Sequence, residues 1–242
     1  MFRGLLAAVS FLTILPVPRS IHTDREALKR AMGWYPLVGL VVGLIAAVAF
    51  KMLAGLPALP RAVIAALIPI LLTRALHLDG FADVCDGLGV TGPVARRLDV
   101  MRDPRLGAFG VAGVAFNLLW RIAVLASPIR FAATALVAAP VLGRWAMVLA
   151  LRRLPYERTG QFGAAAIRPG GWAVSGATAA LLLPFLKAPG PFLAAALATL
   201  LVQWWWLRFS RRAFGGLTGD TLGALNELTE LFVLAVFLLA GL

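Results

Sequence analysis

The sequence predicts an all-α, polytopic integral membrane bundle of about seven transmembrane helices, preceded by a short interfacial or re-entrant helix. Three observations carry that expectation. Of 242 residues, 61% are apolar and 14% charged, with a mean hydropathy of +0.88; soluble domains run nearer half apolar and a quarter charged. A single core in a chain of this length cannot hide so much apolar surface. Apolar stretches of spanning length recur along the chain, and its basic residues gather in alternate connections.

The elements follow in order. Phe2–Leu15 is apolar behind Arg3, like the first regions of a signal peptide, but no small-residue cleavage pattern precedes Pro16-Val17-Pro18. About 14 residues are too few to span comfortably, hence the interfacial or re-entrant helix. The expected spans are 36–56, 61–78, 108–126, 131–151, 172–187, 190–207 and 221–241, each near the length that crosses hydrocarbon. Spans five and six form a hairpin around Lys187-Ala188-Pro189-Gly190, and Gly39 with Gly43 suits close helix packing.

Segments 16–35, 74–107, 152–171 and 208–220 each collect several Arg or Lys, while the intervening turns near 57–61, 127–130 and 188–189 hold about one each. By the positive-inside rule the four basic segments are cytoplasmic. The net charge of +12, from 23 basic and 11 acidic residues, then reflects topology and contact with lipid headgroups rather than nucleic acid. Neither an internal repeat nor a separable soluble region divides the chain, so 1–242 reads as one domain.

One Cys and two His exclude an internal disulfide, a Cys-based zinc site and a His-rich metal centre. A divalent ion must then be held by carboxylates, which favours Mg²⁺, Mn²⁺ or Ca²⁺. Five of the seven Asp lie between Asp79 and Asp103. In the run His77-Leu78-Asp79-Gly80-Phe81-Ala82-Asp83-Val84-Cys85-Asp86-Gly87, Asp79, Asp83 and Asp86 share one helical face. Three carboxylates in register repel one another, and a bridging cation removes that penalty and holds an anionic substrate.

A second constellation, Met101–Gly110, sets Arg102, Asp103 and Arg105 in a loop broken by Pro104, where Arg suits bidentate phosphate recognition. The third, Gly215–Glu230, aligns Asp220, Glu227 and Glu230 on one helical face. Thr218 and Asp220 serve either as a helix cap or toward a ligand. Glu227 and Glu230 lie within an apolar span, where ionisable groups mark function or pair with Arg144 or Arg121. Arg144 reads as a phosphate ligand or an ion-pair partner facing a polar interior, and Arg121 as a residue that snorkels toward the far interface. Together these groups fit chemistry on a diphosphate.

At these motifs the chain resembles the cobalamin synthase family, the integral membrane adenosylcobinamide-GDP ribazoletransferases. The resemblance rests on Ser10–Pro18, Trp34–Gly39, the His77–Gly87 run, Met101–Gly110 and Leu217–Glu227, and so extends over nearly the whole chain. His-Leu-Asp-Gly-x-x-Asp-x-x-x-Gly is its most specific part, and Gly143 stands where the family often has Ser. The resemblance implies Mg²⁺-dependent transfer of the adenosylcobinamide phosphate group to α-ribazole or its 5′-phosphate, with release of GMP. It implies a multi-pass protein of the bacterial inner membrane with its site facing the cytoplasm.

Carried onto this sequence, Asp79, Asp83 and Asp86 hold Mg²⁺, and His77 or Asp103 accepts the ribazole hydroxyl proton, unless His77 only hydrogen-bonds an acid. Arg102, Arg105, Arg144 and Thr218 face substrate, and Asp220 and Glu227 complete the metal shell or orient the nucleoside. Self-association into a homo-oligomer is left open. Two other classes compete: a membrane transferase acting on another diphosphate, such as a CDP-alcohol phosphotransferase or an aromatic prenyltransferase, and a transporter coupled through Glu227 and Glu230. Asp83 following Ala82 departs from the Asp-Gly-x-x-Ala-Arg pattern of the first, and a transporter would show an inverted repeat.

Overall fold

The computed structural model describes residues 2–18, 21, 30–153 and 177–241, and the elements in them are helices. They are α1 (Phe2–Leu12), α2 (Tyr35–Met52, entered through a 3₁₀ turn at Met32–Trp34), α3 (Ala58–Leu72), α4 (Leu76–Gly89), α5 (Val94–Val100), α6 (Ala108–Ala126), α7 (Ala132–Arg153), α8 (Leu182–Lys187), α9 (Pro189–Phe214) and α10 (Gly219–Gly241). Pro36 and Pro189 sit in the first turns of α2 and α9, where a missing N–H costs nothing. Gly215, at φ 82°, ends α9 in the left-handed conformation that suits glycine.

Among the described residues five helices are long and apolar enough to cross a bilayer, Met32–Met52, α6, α7, α9 and α10, or six if the bent α3–α4 pair is one span. Their outward faces carry exposed Val41, Leu44, Ile45 and Val48 on α2, Val111, Phe116 and Leu119 on α6, and Leu193, Leu197 and Leu201 on α9. Such continuous apolar faces are stable against lipid rather than water. The chain is a multi-pass membrane protein.

The expected count of seven is not reached among the described residues. The second expected span, 61–78, is broken. α3 ends at Leu72 and α4 leaves it at 92°. Thr73 Oγ1 donates to the Pro69 carbonyl at 2.9 Å, closing the end of α3, and Arg74 and Ala75 take φ of 52° and 54°. A straight continuation would carry Asp79, Asp83 and Asp86 along a spanning axis, where carboxylates are costly. The fifth expected span, 172–187, lies partly outside the described residues, and its described portion, Ala177–Lys187, is short. Half of the basic segment 16–35 and most of 152–171 also lie outside them. α1, at 11 residues, is a short apolar N-terminal helix.

α7 and α10 are the most enclosed spans. α7 packs on α2 and α10, while α10 also meets α4, α6 and α9. The α2–α7 contact depends on Gly39, whose hydrogen points at the Pro140 carbonyl, and on Gly43, against Leu136 and Val137. A side chain at either would collide with backbone. α4 is thereby laid across α10 and α6, its acidic residues beside the α5–α6 connection.

Candidate active site

Asp86 draws the acidic helix and the Arg-bearing loop together. Its carboxylate accepts hydrogen bonds from the backbone N–H of Gly107 at 2.7 Å and of Gly110 at 2.8 Å, at the start of α6. A carboxylate at a helix N-terminus is stabilised by the unpaired amides and the helix dipole. Both glycines are required, because a Cβ on either would overlap the Asp86 carboxylate. The junction lines an open groove of about 430 Å³ with Asp86, Asp103, Arg105, Leu106 and Phe109 among its walls.

One turn back along α4 lies the half-buried Asp83, and beyond it the exposed Asp79. The first turn of α10 closes in from the other side: the Asp220 backbone packs on Gly80, where an added Cβ would come within 2.8 Å of the Asp220 Cα. Thr218 positions that turn. Its hydroxyl accepts from the Thr221 N–H at 3.1 Å, and its own N–H donates to the Thr221 hydroxyl at 2.7 Å, a reciprocal cap.

In the 101–107 loop, Asp103 and Arg105 form a two-pronged ion pair at 3.0 and 2.7 Å, reinforced by the Arg105 N–H. Arg105 hydrogen bonds hold the Asp103 carboxyl down at about 2. Arg102 pairs with Asp99 at 3.2 Å, and both side chains are mostly exposed.

Beneath the groove is a second polar assembly, sealed from solvent. Arg121 of α6 donates to Glu227 at 2.7 Å and to Glu230 at 2.8 Å, both on α10. Arg144 of α7 donates to Glu230 and lies 3.3 Å from His77 Nδ1 on α4. Asn117 donates to Glu227 at 3.0 Å and accepts from Arg121 at 2.7 Å, while Asn226 donates to Glu230 at 3.0 Å. The ion-paired side chains are at most 7% exposed. Two Arg and two Glu balance, as charges buried among spans must.

The profile of the cobalamin-5-phosphate synthase family matches residues 4–238. This chain belongs to that family. It is 39% identical to the adenosylcobinamide-GDP ribazoletransferase of Desulforamulus reducens, over 99% of this chain and 97% of that one. Identity is 39% to the Roseiflexus enzyme of the same name, covering 97% and 88% of the two chains. It is 40% to that of Synechococcus elongatus, covering 96% and 94%. No solved structure matches.

For a cobalamin-5-phosphate synthase family member, the structure divides the residues singled out in the sequence into two groups. Asp86, Asp103 and Arg105 line the groove, Asp79 and Asp83 lie further back on α4, the Asp220 backbone meets Gly80 at the α4–α10 contact, and Arg102 pairs with Asp99 on the loop side. His77, Arg144 and Glu227 do not reach the groove: they are buried, and Arg144 and Glu227 are engaged in the ion pairs that were the alternative to substrate contact. Thr218, also buried, caps α10. Asp103, expected as a base, is instead a weak one clamped by Arg105. Arg121 does not snorkel; it is 4% exposed at the centre of the ion-pair assembly, because Glu227 and Glu230 attract it inward more strongly than the interface does.

Among the described residues no three His, Cys, Asp or Glu converge on one metal position. Asp86, expected as a ligand, has its carboxylate engaged by two amides. The donor chemistry nonetheless suits Mg²⁺, which takes one or two carboxylates and completes its shell with water and substrate phosphates. Asp79 and Asp83, one turn apart, would supply those hard oxygens. The residues that sequence reasoning passed over are Asn117 and Asn226. Their signal was present: a polar residue in an apolar span, one turn from Arg121 and Glu230 respectively, on the same face.

Proposed function

We propose that this chain transfers the adenosylcobinamide phosphate group from adenosylcobinamide-GDP to α-ribazole or its 5′-phosphate, with Mg²⁺, at the cytoplasmic face of a bacterial inner membrane. The observation that carries the reading is the Asp86 clasp. By tying α4 to the Gly107 and Gly110 amides, it brings the acidic helix against the loop that carries Asp103 and Arg105, which line one groove with Asp86. A diphosphate needs that pairing: hard anionic oxygens to hold a cation, and cationic forks for the phosphoryl oxygens.

The ribazole hydroxyl oxygen forms a bond to the cobinamide-side phosphorus, the bond from that phosphorus to the bridging oxygen breaks, GMP departs with the bridging oxygen, and the hydroxyl proton is released. Arg105 lines the groove and Arg102 lies on the same exposed loop; they exchange Asp103 and Asp99 for phosphate oxygens, which match the guanidinium geometry. Asp79 and Asp83 would hold the cation, and the Asp220 backbone packs on Gly80 between them. Mg²⁺ bound there would neutralise the diphosphate and make phosphorus more electrophilic. Leu106 and Phe109 give the groove an apolar wall for the less polar parts of the substrates. The Arg-rich segments 74–107 and 208–220, which carry the Asp79–Arg105 residues and lead into Asp220, support a cytoplasmic site.

The test is GMP release by purified protein in detergent. GMP should form only with both substrates and Mg²⁺, and Asp79→Asn and Asp83→Asn should raise the Mg²⁺ concentration needed. Undiminished Mg²⁺-dependent release by Asp83→Asn would refute the metal assignment. Turnover of a CDP-alcohol or prenyl diphosphate instead would place the chemistry in another class.

A further inference from the structure

His77 opens α4 directly after the strained elbow, in which Arg74 and Ala75 both have left-handed backbone. Non-glycine residues keep that conformation only where their surroundings over-determine it. Backbone bonds supply part of the restraint: Ala75 N–H donates to the Ile70 carbonyl at 2.8 Å, and Ile14 N–H to the Leu72 carbonyl at 2.8 Å. The side-chain restraint is Arg144, whose Nη2 lies 3.3 Å from His77 Nδ1. Arg144 is itself fixed by Glu230, which Arg121 and Asn226 hold in turn.

This contact determines where the imidazole proton sits. A guanidinium has only donors, so Nδ1 accepts and the proton is on Nε2. His77 is 3% exposed, and its Nε2 is buried with no hydrogen-bond partner among the described residues. One ring nitrogen is therefore committed to Arg144, and the other already bears hydrogen and is closed to solvent. Neither is available to take a proton from an alcohol.

We propose that His77 is a positioning residue for the transfer reaction and not its base. The Arg144–His77 hydrogen bond anchors the first turn of α4 to α7, and through it sets the placement of Asp79 and Asp83, two and six residues further on. The buried Arg121–Glu230–Arg144 assembly is the foundation of that anchor. The inference rests on the ribazoletransferase reading for what is positioned, but not for the anchor itself.

The test compares two near-isosteric variants of the full-length protein in detergent. His77→Asn keeps an acceptor near the Nδ1 position, whereas His77→Gln keeps a polar group near Nε2 and loses that acceptor. With ¹⁵N-histidine labelling, the chain's two histidines are assigned by the signal lost in His77→Asn. The wild-type His77 signal should be that of the neutral Nε2–H form. His77→Asn should keep kcat within about threefold. His77→Gln should raise the half-saturating Mg²⁺ concentration about tenfold or more, the range for groups that orient metal ligands, with a smaller loss of kcat. Active His77→Gln with inactive His77→Asn, or a wild-type proton on Nδ1, overturns the proposal. If wild-type protein releases no GMP, the transferase reading fails while the ¹⁵N signal still decides the anchor.

Discussion

Glu230→Gln removes one charge from the sealed assembly while leaving its volume nearly unchanged. Glu230 accepts from Arg121 at 2.8 Å, from Asn226 at 3.0 Å and from Arg144, and its side chain is 3% exposed. The substitution leaves two guanidinium groups facing the single carboxylate of Glu227, which pairs with Arg121, so Arg144 becomes a buried charge without a counterion. Breaking a buried pair in this way costs about 3–5 kcal/mol. At about 2–4 °C per kcal/mol for a chain of this size, Tm should fall by about 6–20 °C. The seven tryptophans give a fluorescence signal for a thermal melt in detergent, and added salt should not change the difference, because screening does not reach a sealed pair. Glu230→Gln combined with Arg144→Met restores neutrality and should recover at least half of the loss. A single variant that melts within about 2 °C of wild type, or a double variant worse than both singles, would refute the view of these residues as one charge-balanced unit.

Other outcomes follow from the same structure. Gly80→Ala sets a methyl group within 2.8 Å of the Asp220 Cα; prying α10 from α4 should cost about 1–3 kcal/mol in thermal stability and weaken substrate binding more than a surface change would. Gly39→Ala meets the Pro140 carbonyl, so it should lower Tm by a similar energy with KM unchanged, since it lies away from the groove. Asp103 is held down at about 2, and a depressed carboxyl stays ionised until pH falls through its folded value. The Asp103–Arg105 pair should therefore persist throughout the assay range, and any acid limb of the rate profile near about pH 5–7 should survive in Asp103→Asn. Asp86→Ala leaves the Gly107 and Gly110 amides without their acceptor and should uncouple α4 from the loop, costing about 1–2 kcal/mol as the loss of a helix cap does. Asp86→Asn, which keeps an acceptor oxygen, should recover part of the rate of GMP release.

The spans were legible wherever length and composition decide the outcome. The expected 108–126 and 221–241 match α6 and α10 within two residues, because a long apolar run between polar ends has no other stable form in lipid. The elbow at Arg74–Ala75 was not legible: neither residue is a glycine, and left-handed backbone there is imposed by contacts with α7, α10 and the N-terminal segment. Hydropathy alone ran the second span on to 78. The acidic face of α4 could be read from the spacing of Asp79, Asp83 and Asp86, since helical periodicity is local. The separate use of Asp86 could not, because its partners are backbone amides that any sequence possesses; only Gly107 and Gly110, spaced one turn apart, hinted at a close approach.

Environment also explains why the scarce acids have different roles. Glu227 and Glu230 are met by Arg121 and Arg144, opposite charges in equal number, and such a unit persists in a low dielectric without help from solvent or metal. Asp86 is met by two amides, which are dipoles: they orient the carboxylate without cancelling its charge. Asp79, on the same helical face, is exposed. The divalent cation proposed for this reaction would therefore be held on α4 and not by the deeper Glu227–Glu230 pair, whose carboxylates Arg121 and Arg144 already engage. The deep pair contributes instead through rigidity, since it fixes Arg144, Arg144 fixes His77, and His77 begins the helix that carries Asp79.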